Sequence, residues 1–471
     1  MTKQIKADIC VIGAGSGGLS VAAGASQLGR KVVLIEKGEM GGDCLNYGCI
    51  PSKALLAAAK HAHGFKEAAQ FGINAGTPSV DYAAVMDHVH GVIAGIAPHD
   101  SQERFEGLGV TVLRDAGKFT KPRQVTAGDT IVEAKHFIIA TGSSPFVPPI
   151  PGLDTTPYFT NETLFANKTQ PDHLLIVGGG PIGLEMAQAH HRLGSKVTVI
   201  EGDTILNQDD PECAAIVREQ LLAEGIIIKE QSKAEAVQAV DGGVSITLST
   251  GETVSGSHLL MAVGRQPNVN DLGLEAAGID YDRRGIKTNA RLQTSDKRVY
   301  AIGDVAGGPQ FTHLAGDHAG TIVRNVLFKA RSSRNDDLIP RVTYSDPELA
   351  SVGLGENAAR EKYGAIKIAR FGFDENDRAR AERRTDGFIK VFTKKNGEIV
   401  GATLVGPNAG DLIQPWVLAL ANKRKIRDFT NYIAPYPTRG EINKRAASAW
   451  YTPTLFSDRT RAIVRLLATF D

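Results

Sequence analysis

The sequence predicts an α/β protein of about three domains, two of them built on one repeated unit. Three observations predict it. The chain has 471 residues, and domains usually take roughly 100–200 residues each. It carries 51 glycines, against an average usage of about 7%. A segment near the N-terminus also returns 165 residues later: GAGSGG at 13–18 as GGGPIG at 178–183, and GRKVVLIE at 29–36 as GSKVTVIE at 194–201.

Each copy has one local logic. An apolar strand (DICVIG; LLIVGG) runs into G-x-G-x-x-G, then a helix, then a second strand ending in Glu. Gly13 and Gly178 permit the tight turn. Gly15 and Gly180 let backbone approach a pyrophosphate. Gly18 and Gly183 allow close helix–strand packing. The helix N-terminus offers free N–H groups to phosphate. Glu36 and Glu201 each lie 23 residues past the first glycine, where an acid can bond a ribose 2′-hydroxyl. Two complete units predict two Rossmann-like dinucleotide-binding domains and electron transfer between their ligands. A carboxylate at Glu201 repels a 2′-phosphate, which favours NADH over NADPH.

Composition narrows the remaining classes. Lys plus Arg is 53 and Asp plus Glu 52, a net charge of +1, which argues against a nucleic-acid binder relying on a global positive field. Four cysteines exclude a disulfide scaffold and fit a reducing compartment. Residues 9–29 carry no charge and could be mistaken for a membrane span or signal segment, but they hold six glycines and the first turn. The expectation is a cytoplasmic protein with no transmembrane segment.

Residues 41–53 read GGDCLNYGCIPSK. Pro51 suits the first turn of a helix over the Ala-rich stretch 51–63. Cys49 therefore sits at or just before a helix N-terminus, which lowers a thiol pKa, with Lys53 in the same turn. A buried structural pair, a zinc site and a redox-active dithiol are the three readings of Cys44 and Cys49. Zinc would want two further ligands, and no second C-x₂₋₄-C exists. The redox reading is favoured. Cys10, on the first strand, and Cys213, on a polar helix, read as structural.

Here the chain resembles the class I pyridine nucleotide-disulfide oxidoreductases over essentially its whole length. GGDCLNYGCIPSK is similar to the family's redox motif. FIIATGSSP (137–145) and LLMAVGRQP (259–267) resemble its two strand-to-glycine crossovers. VYAIGDVAG (299–307) resembles its flavin-ribityl segment, and YSDPELASVG (344–353) the start of its dimerisation domain. The resemblance implies a glutathione reductase-like fold: an FAD-binding domain over 1–150 and 270–340, an NAD-binding domain over 151–269, and an α+β dimerisation domain over 341–471. It implies FAD on Gly13, Gly15, Gly18, Glu36, Lys53, Gly117, Thr141, Gly142 and Asp304. It implies NAD(H) on Gly178, Gly180, Gly183, Glu201 and Gly264. Cys49 would face the flavin as its charge-transfer thiolate and Cys44 would exchange with substrate. Lys53 and Glu185 would pair near the flavin. A homodimer would complete each site from the partner's C-terminal domain.

One position departs from the family. The C-terminal segment APYPTRGE (434–441) keeps Glu441 but has Tyr436 where the family has the proton-accepting His. A free Tyr titrates near 10, so its phenolate is only about 10⁻³ of the population at pH 7. Tyr436 is thus a poor base and a better hydrogen-bond donor. His313, or His61 and His63, could stand in. Tyr here is similar to mercuric reductases, yet no Cys follows Cys213, so that branch's metal-delivery thiols are missing. The activity expected is NAD(P)H-dependent, FAD-mediated reduction of an unidentified disulfide or soft-metal acceptor. Dihydrolipoyl dehydrogenase is the first alternative; an NADH oxidase or diaphorase, or a redox-sensing flavoprotein, is the second. The tail places Ile463, Leu466, Leu467 and Phe470 at helical spacing among Arg459, Arg461 and Arg465. Packing on its own protein, at the dimer, is favoured over lying on a membrane surface.

Overall fold

The computed structural model describes residues 3–76 and 78–470. They form two compact units. The first comprises the chain through Gly178 with 189–200 and 232–335; the second comprises 179–188, 201–231 and the chain from Asp336 onward.

The first unit is centred on the strand Lys3–Ile12. It pairs in parallel with Val32–Ile35 on one side and Thr130–Ile139 on the other. Thr111–Leu113 extends the sheet beyond Val32–Ile35, and Val299–Ala301 pairs with the end of Thr130–Ile139. A sheet covered on both faces needs apolar residues in both directions. Ile9, Val11, Val32 and Leu34 face the helices Ser16–Gln27 and Thr312–Leu327. Cys10, Ile12, Val33 and Ile35 face Phe119, Phe137 and Val269. Cys10 is fully buried, which pushes its thiol pKa well up and keeps it inert. Residues 9–29 are therefore the end of a strand, a turn and a helix. Among the described residues no helix is long and apolar enough to cross a membrane. The second copy contributes His173–Val177, paired in parallel with Lys196–Ile200 and His258–Met261.

The second unit carries an antiparallel sheet ordered Arg341–Thr343, Glu348–Gly353, Ile399–Gly406, Phe388–Lys394, Ile366–Gly372. Trp416 and Ile442, from the helices Gln414–Ala421 and Glu441–Leu455, are buried against it. Cys213 is buried on the helix Pro211–Glu224, 3.6 Å from Thr403 Oγ1, and burial raises its thiol pKa to about 12. The tail forms the expected helix, Asp458–Leu467. Its apolar face does not pack on its own chain: Leu466, Leu467 and Phe470 are all exposed.

Candidate active site

The two glycine turns repeat down to individual hydrogen bonds. Glu36 Oε2 accepts from Ala14 N at 2.6 Å and Oε1 from Gly38 N at 2.7 Å. Glu201 Oε2 accepts from Gly179 N at 2.7 Å and Oε1 from Asp203 N at 2.9 Å. Each acid is thus held against its turn by backbone. Gly13 and Gly178 have φ of +106° and +119°, and a Cβ on either would lie 2.3 Å from a carbonyl oxygen, of Ala140 or Ala262. Only glycine fits. The helix Ser16–Gln27 has no side-chain N-cap, and neither it nor Pro181–Arg192 has an acid in its first turn. Those N–H groups are available to phosphate. Glycine cradles, helix starts free of acids and a fixed carboxylate fit a dinucleotide at both turns.

The redox loop lies on the first turn. Gly41 forms a bridge with Gly15. A Cβ on Gly42 would sit 2.7 Å from Gly15 Cα. Cys44 lies on the short helix Gly42–Asn46, and Cys49 opens the helix Cys49–Glu67, as the Pro51 spacing predicts. Both are free thiols, Cys44 half-buried and Cys49 exposed. Their proton affinities separate. The Cys44 thiol donates to Cys49, which lowers the Cys49 pKa to about 6, with further lowering from Thr312 and Lys53. The same bond, with burial, drives Cys44 well up. At neutral pH the pair therefore carries one thiolate, on Cys49, and one thiol.

Thr312 escaped the sequence reading. Its Oγ1 lies 3.3 Å from Cys49 Sγ, and it opens the helix Thr312–Leu327. Two helix N-termini thus meet at one sulfur, and both favour its anion. Nothing local in the sequence marks Thr312. Its neighbour His313, considered as a substitute base, stacks on Phe311.

Arg265, Asp43 and Asn161 were also missed as site residues, although Arg265 and Asp43 lie inside quoted motifs. Arg265 Nη2 is 3.1 Å from Asp43 Oδ1, and Asn161 Nδ2 donates to the same oxygen at 3.0 Å. Arg265 Nε donates to Ser143 Oγ, which donates to Asp304 Oδ2 at 2.5 Å. This chain of polar contacts joins the redox loop to the predicted ribityl carboxylate. Burial raises the Asp304 pKa.

The other predicted residues fall as follows. Thr141 Oγ1 donates to Asn268 O, Asn268 N donates to Gly142 O, and Phe146 N donates to Gly264 O, so the two crossovers are laced together. Gly117 packs on Ile12 and Ile35 at the sheet's edge. Lys53 Nζ donates to Ser52 Oγ in the first unit. In the second unit, buried Glu185 accepts from Tyr344 N. Tyr436 is 67% exposed, and its hydroxyl donates to Asp377 Oδ2 at 3.0 Å. That bond raises the Tyr436 pKa further, so the phenol is a donor and not a base. Glu441 accepts instead from Arg445 Nε at 2.8 Å.

Residues 7–319 match the pyridine nucleotide-disulphide oxidoreductase family, and residues 339–447 match that family's dimerisation domain. The chain belongs to this family. It is 34% identical to a mercuric reductase of Streptomyces lividans over 94% of this chain and 96% of that one. It is 37% identical to a dihydrolipoyl dehydrogenase of Thermus scotoductus over 94% and 97%. Among solved structures it is similar to the HOCl-induced flavoprotein disulfide reductase RclA of Escherichia coli (TM-score 0.84, 27% identity, 94% of this chain and 99% of that one). It is also similar to LpdA of Mycobacterium tuberculosis (TM-score 0.86, 26% identity, 94% and 99%). Members of the pyridine nucleotide-disulphide oxidoreductases use FAD and NAD(P)H and act on sulfur groups. The chain is a flavoprotein disulfide oxidoreductase with the glutathione reductase-like fold.

Proposed function

We propose that this oxidoreductase uses NADH to reduce a disulfide acceptor through Cys44 and Cys49, with FAD on the first glycine turn and NAD(H) on the second. In this reading 1–150 and 270–340 hold FAD, 151–269 holds NAD, and 341–471 pairs two copies into a homodimer. Tyr436 and Glu441 of one copy line the other's site. A cytoplasmic setting accords with a chain of only four cysteines.

The observation that carries the reading is the split thiol pair lying on the first turn. A bound flavin supplies hydride acceptance from a nicotinamide and delivery of an electron pair to neighbouring sulfur. The protein supplies the rest. Cys44 Sγ, once deprotonated, attacks the acceptor disulfide to form a mixed disulfide, and the released thiolate takes up a proton. The Cys49 thiolate then attacks Cys44 Sγ. This closes Cys44–Cys49 and expels the second thiolate. Cys49 suits that step because its pKa of about 6 keeps it ionised at neutral pH. Running the reaction toward NADH, as a dihydrolipoyl dehydrogenase does, wants a strong base beside Cys44. Tyr436, donating to Asp377, is not one.

Anaerobic NADH titration of the purified flavoprotein tests the proposal. A long-wavelength thiolate-to-flavin band on reduction, followed by its loss on adding a disulfide, is expected. Flavin bleaching with no such band at pH 7, and turnover that survives Cys44→Ser, would replace it with the oxidase or diaphorase reading.

A further inference from the structure

Reduction of an acceptor disulfide needs Cys44 as a thiolate. The residue that stands where a base would be expected, Tyr436, is a donor to Asp377. The two sulfurs themselves point to another base. The Cys44 thiol donates to Cys49. Thr312 Oγ1 lies 3.3 Å from Cys49 Sγ and is hydrogen-bonded to Cys44 as well. Two sulfurs and one hydroxyl thus form a closed triangle that holds two protons, one on Cys44 and one on Thr312. A hydroxyl proton rotates to suit its acceptor, so Thr312 can donate to whichever sulfur is anionic.

The charged groups that act on this triangle are Lys53, which favours charge on Cys49, and Asp43, which disfavours it on both sulfurs. Asp43 is itself held by Arg265 and Asn161, and His313, next to Thr312, stacks on Phe311. The bond between the sulfurs persists whichever of them carries the proton, so it does not oppose exchange. Lys53 and the N-terminus of the helix Cys49–Glu67 set the bias toward charge on Cys49. The more basic thiolate is the stronger nucleophile, so a small population of the Cys44 anion is enough for attack.

We propose that the Cys49 thiolate is the base that activates Cys44, and that Thr312 is a catalytic residue whose hydroxyl turns from Cys49 to Cys44 as the negative charge moves. The proposal rests on the dithiol reading given above. The proton passes from Cys44 Sγ to Cys49 Sγ. The Cys44 thiolate then bonds to one acceptor sulfur as the acceptor S–S bond breaks. The expelled thiolate takes the proton from Cys49. The Cys49 thiolate, restored, attacks Cys44 Sγ, closes the Cys44–Cys49 disulfide and expels the second acceptor sulfur as a thiolate. Two electrons and one proton have passed from the pair to the acceptor, with no outside base. This base exists only while the pair is reduced. A dithiol substrate attacking the closed disulfide finds Cys49 already bonded to Cys44 and must arrive ionised.

The test mixes the reduced holoenzyme anaerobically with dithiobis(nitrobenzoate) and follows the first thiolate released from about pH 5 to about pH 10. In the parent the rate should rise with a midpoint of about 6, that of Cys49. In Cys49→Ser, Cys44 must ionise alone, and the midpoint should climb to about 8.5 or above. Thr312→Val keeps both thiols and should raise the parent midpoint by about one unit, and Thr312→Ser should restore it. If Cys49→Ser loses its flavin, the two Thr312 variants decide. A midpoint still near 6 in Cys49→Ser would overturn the proposal and give the proton to another base, and a parent midpoint near 8.5 would overturn it too. An unmoved midpoint in Thr312→Val would remove Thr312 from the mechanism. Disulfide turnover that persists in Cys44→Ser would instead remove the dithiol reading beneath it.

Discussion

The two glycine turns are near-copies in hydrogen bonding and differ in what lies beside them. Gly15 has the redox loop against it, with Gly41 bridged to it and Gly42 in close approach. A Cβ at Gly180 would meet nothing within 4 Å. The shared parts — cradle, acid-free helix start, fixed acid — are what any dinucleotide requires. On the proposed reading, the difference separates a ligand that must stay beside sulfur from one that must come and go. Assignment of FAD to the first turn and NAD(H) to the second rests on that neighbour, since the motifs themselves are interchangeable.

The strongest way to break the comparison is to remove the sulfur and keep both turns. Cys49→Ser should lower disulfide turnover about 10³-fold or more, while NADH reduction of an artificial dye continues. If dye reduction fell equally, the loop would be needed to hold the flavin, and the first turn would not be self-sufficient.

Next in size is the thiol pair itself. Cys44→Ala removes the main hydrogen bond that lowers Cys49. The Cys49 pKa should climb from about 6 toward the free value near 8.5, so the thiolate fraction at pH 7 falls from about 90% to about 3%. The sign follows from the ionised form being the active one: in the parent protein the long-wavelength band is present above pH 6 and is lost as the pH drops through it. A pH titration of thiolate absorbance reads both curves, and an unmoved midpoint would mean that the two helix ends, not Cys44, hold the charge.

The repeated acids give a swap test. Glu36→Gln weakens two charge-assisted bonds at the first turn and Glu201→Gln two at the second, each worth about 1.5–3 kcal/mol. Flavin affinity should fall about 10–100-fold in the first variant only. The KM for NADH should rise by a similar factor in the second only. The reverse outcome would exchange the two ligands.

What the sequence showed of this site depended on distance along the chain. The glycine turns and their acids lie within 23 residues of each other, and backbone geometry alone relates them. The place of Cys49 at a helix start followed from Pro51 and the alanines after it. Thr312 lies 263 residues from Cys49, and no local pattern marks a threonine that a separate strand and helix will carry there. Asp43 and Arg265 stood inside recognisable motifs, but their pairing is a product of how the crossovers lace together. For Tyr436, elementary acid–base arithmetic excluded a base; its actual partner, Asp377, had no signature. The tail's stripe was visible as a period, whereas the lack of a partner on its own chain is a fact of the fold.

The smallest effects expected come from the Asp43–Arg265 contact, and they carry opposite signs. Asp43 raises the proton affinity of both thiols through its charge, and Arg265 at 3.1 Å offsets that charge. Asp43→Asn should therefore lower the Cys49 pKa, and Arg265→Gln, which leaves the carboxylate uncompensated, should raise it, each within about one unit. The double variant should return close to the parent, because removing the carboxylate removes what Arg265 balances. Arg265 also donates to Ser143, which holds Asp304. The single Arg265 variant should thus weaken flavin retention and Asp43→Asn should not. If both single variants moved the Cys49 midpoint the same way, the contact would be acting by positioning the loop and not by its charge, and the first turn's advantage over the second would be one of shape alone.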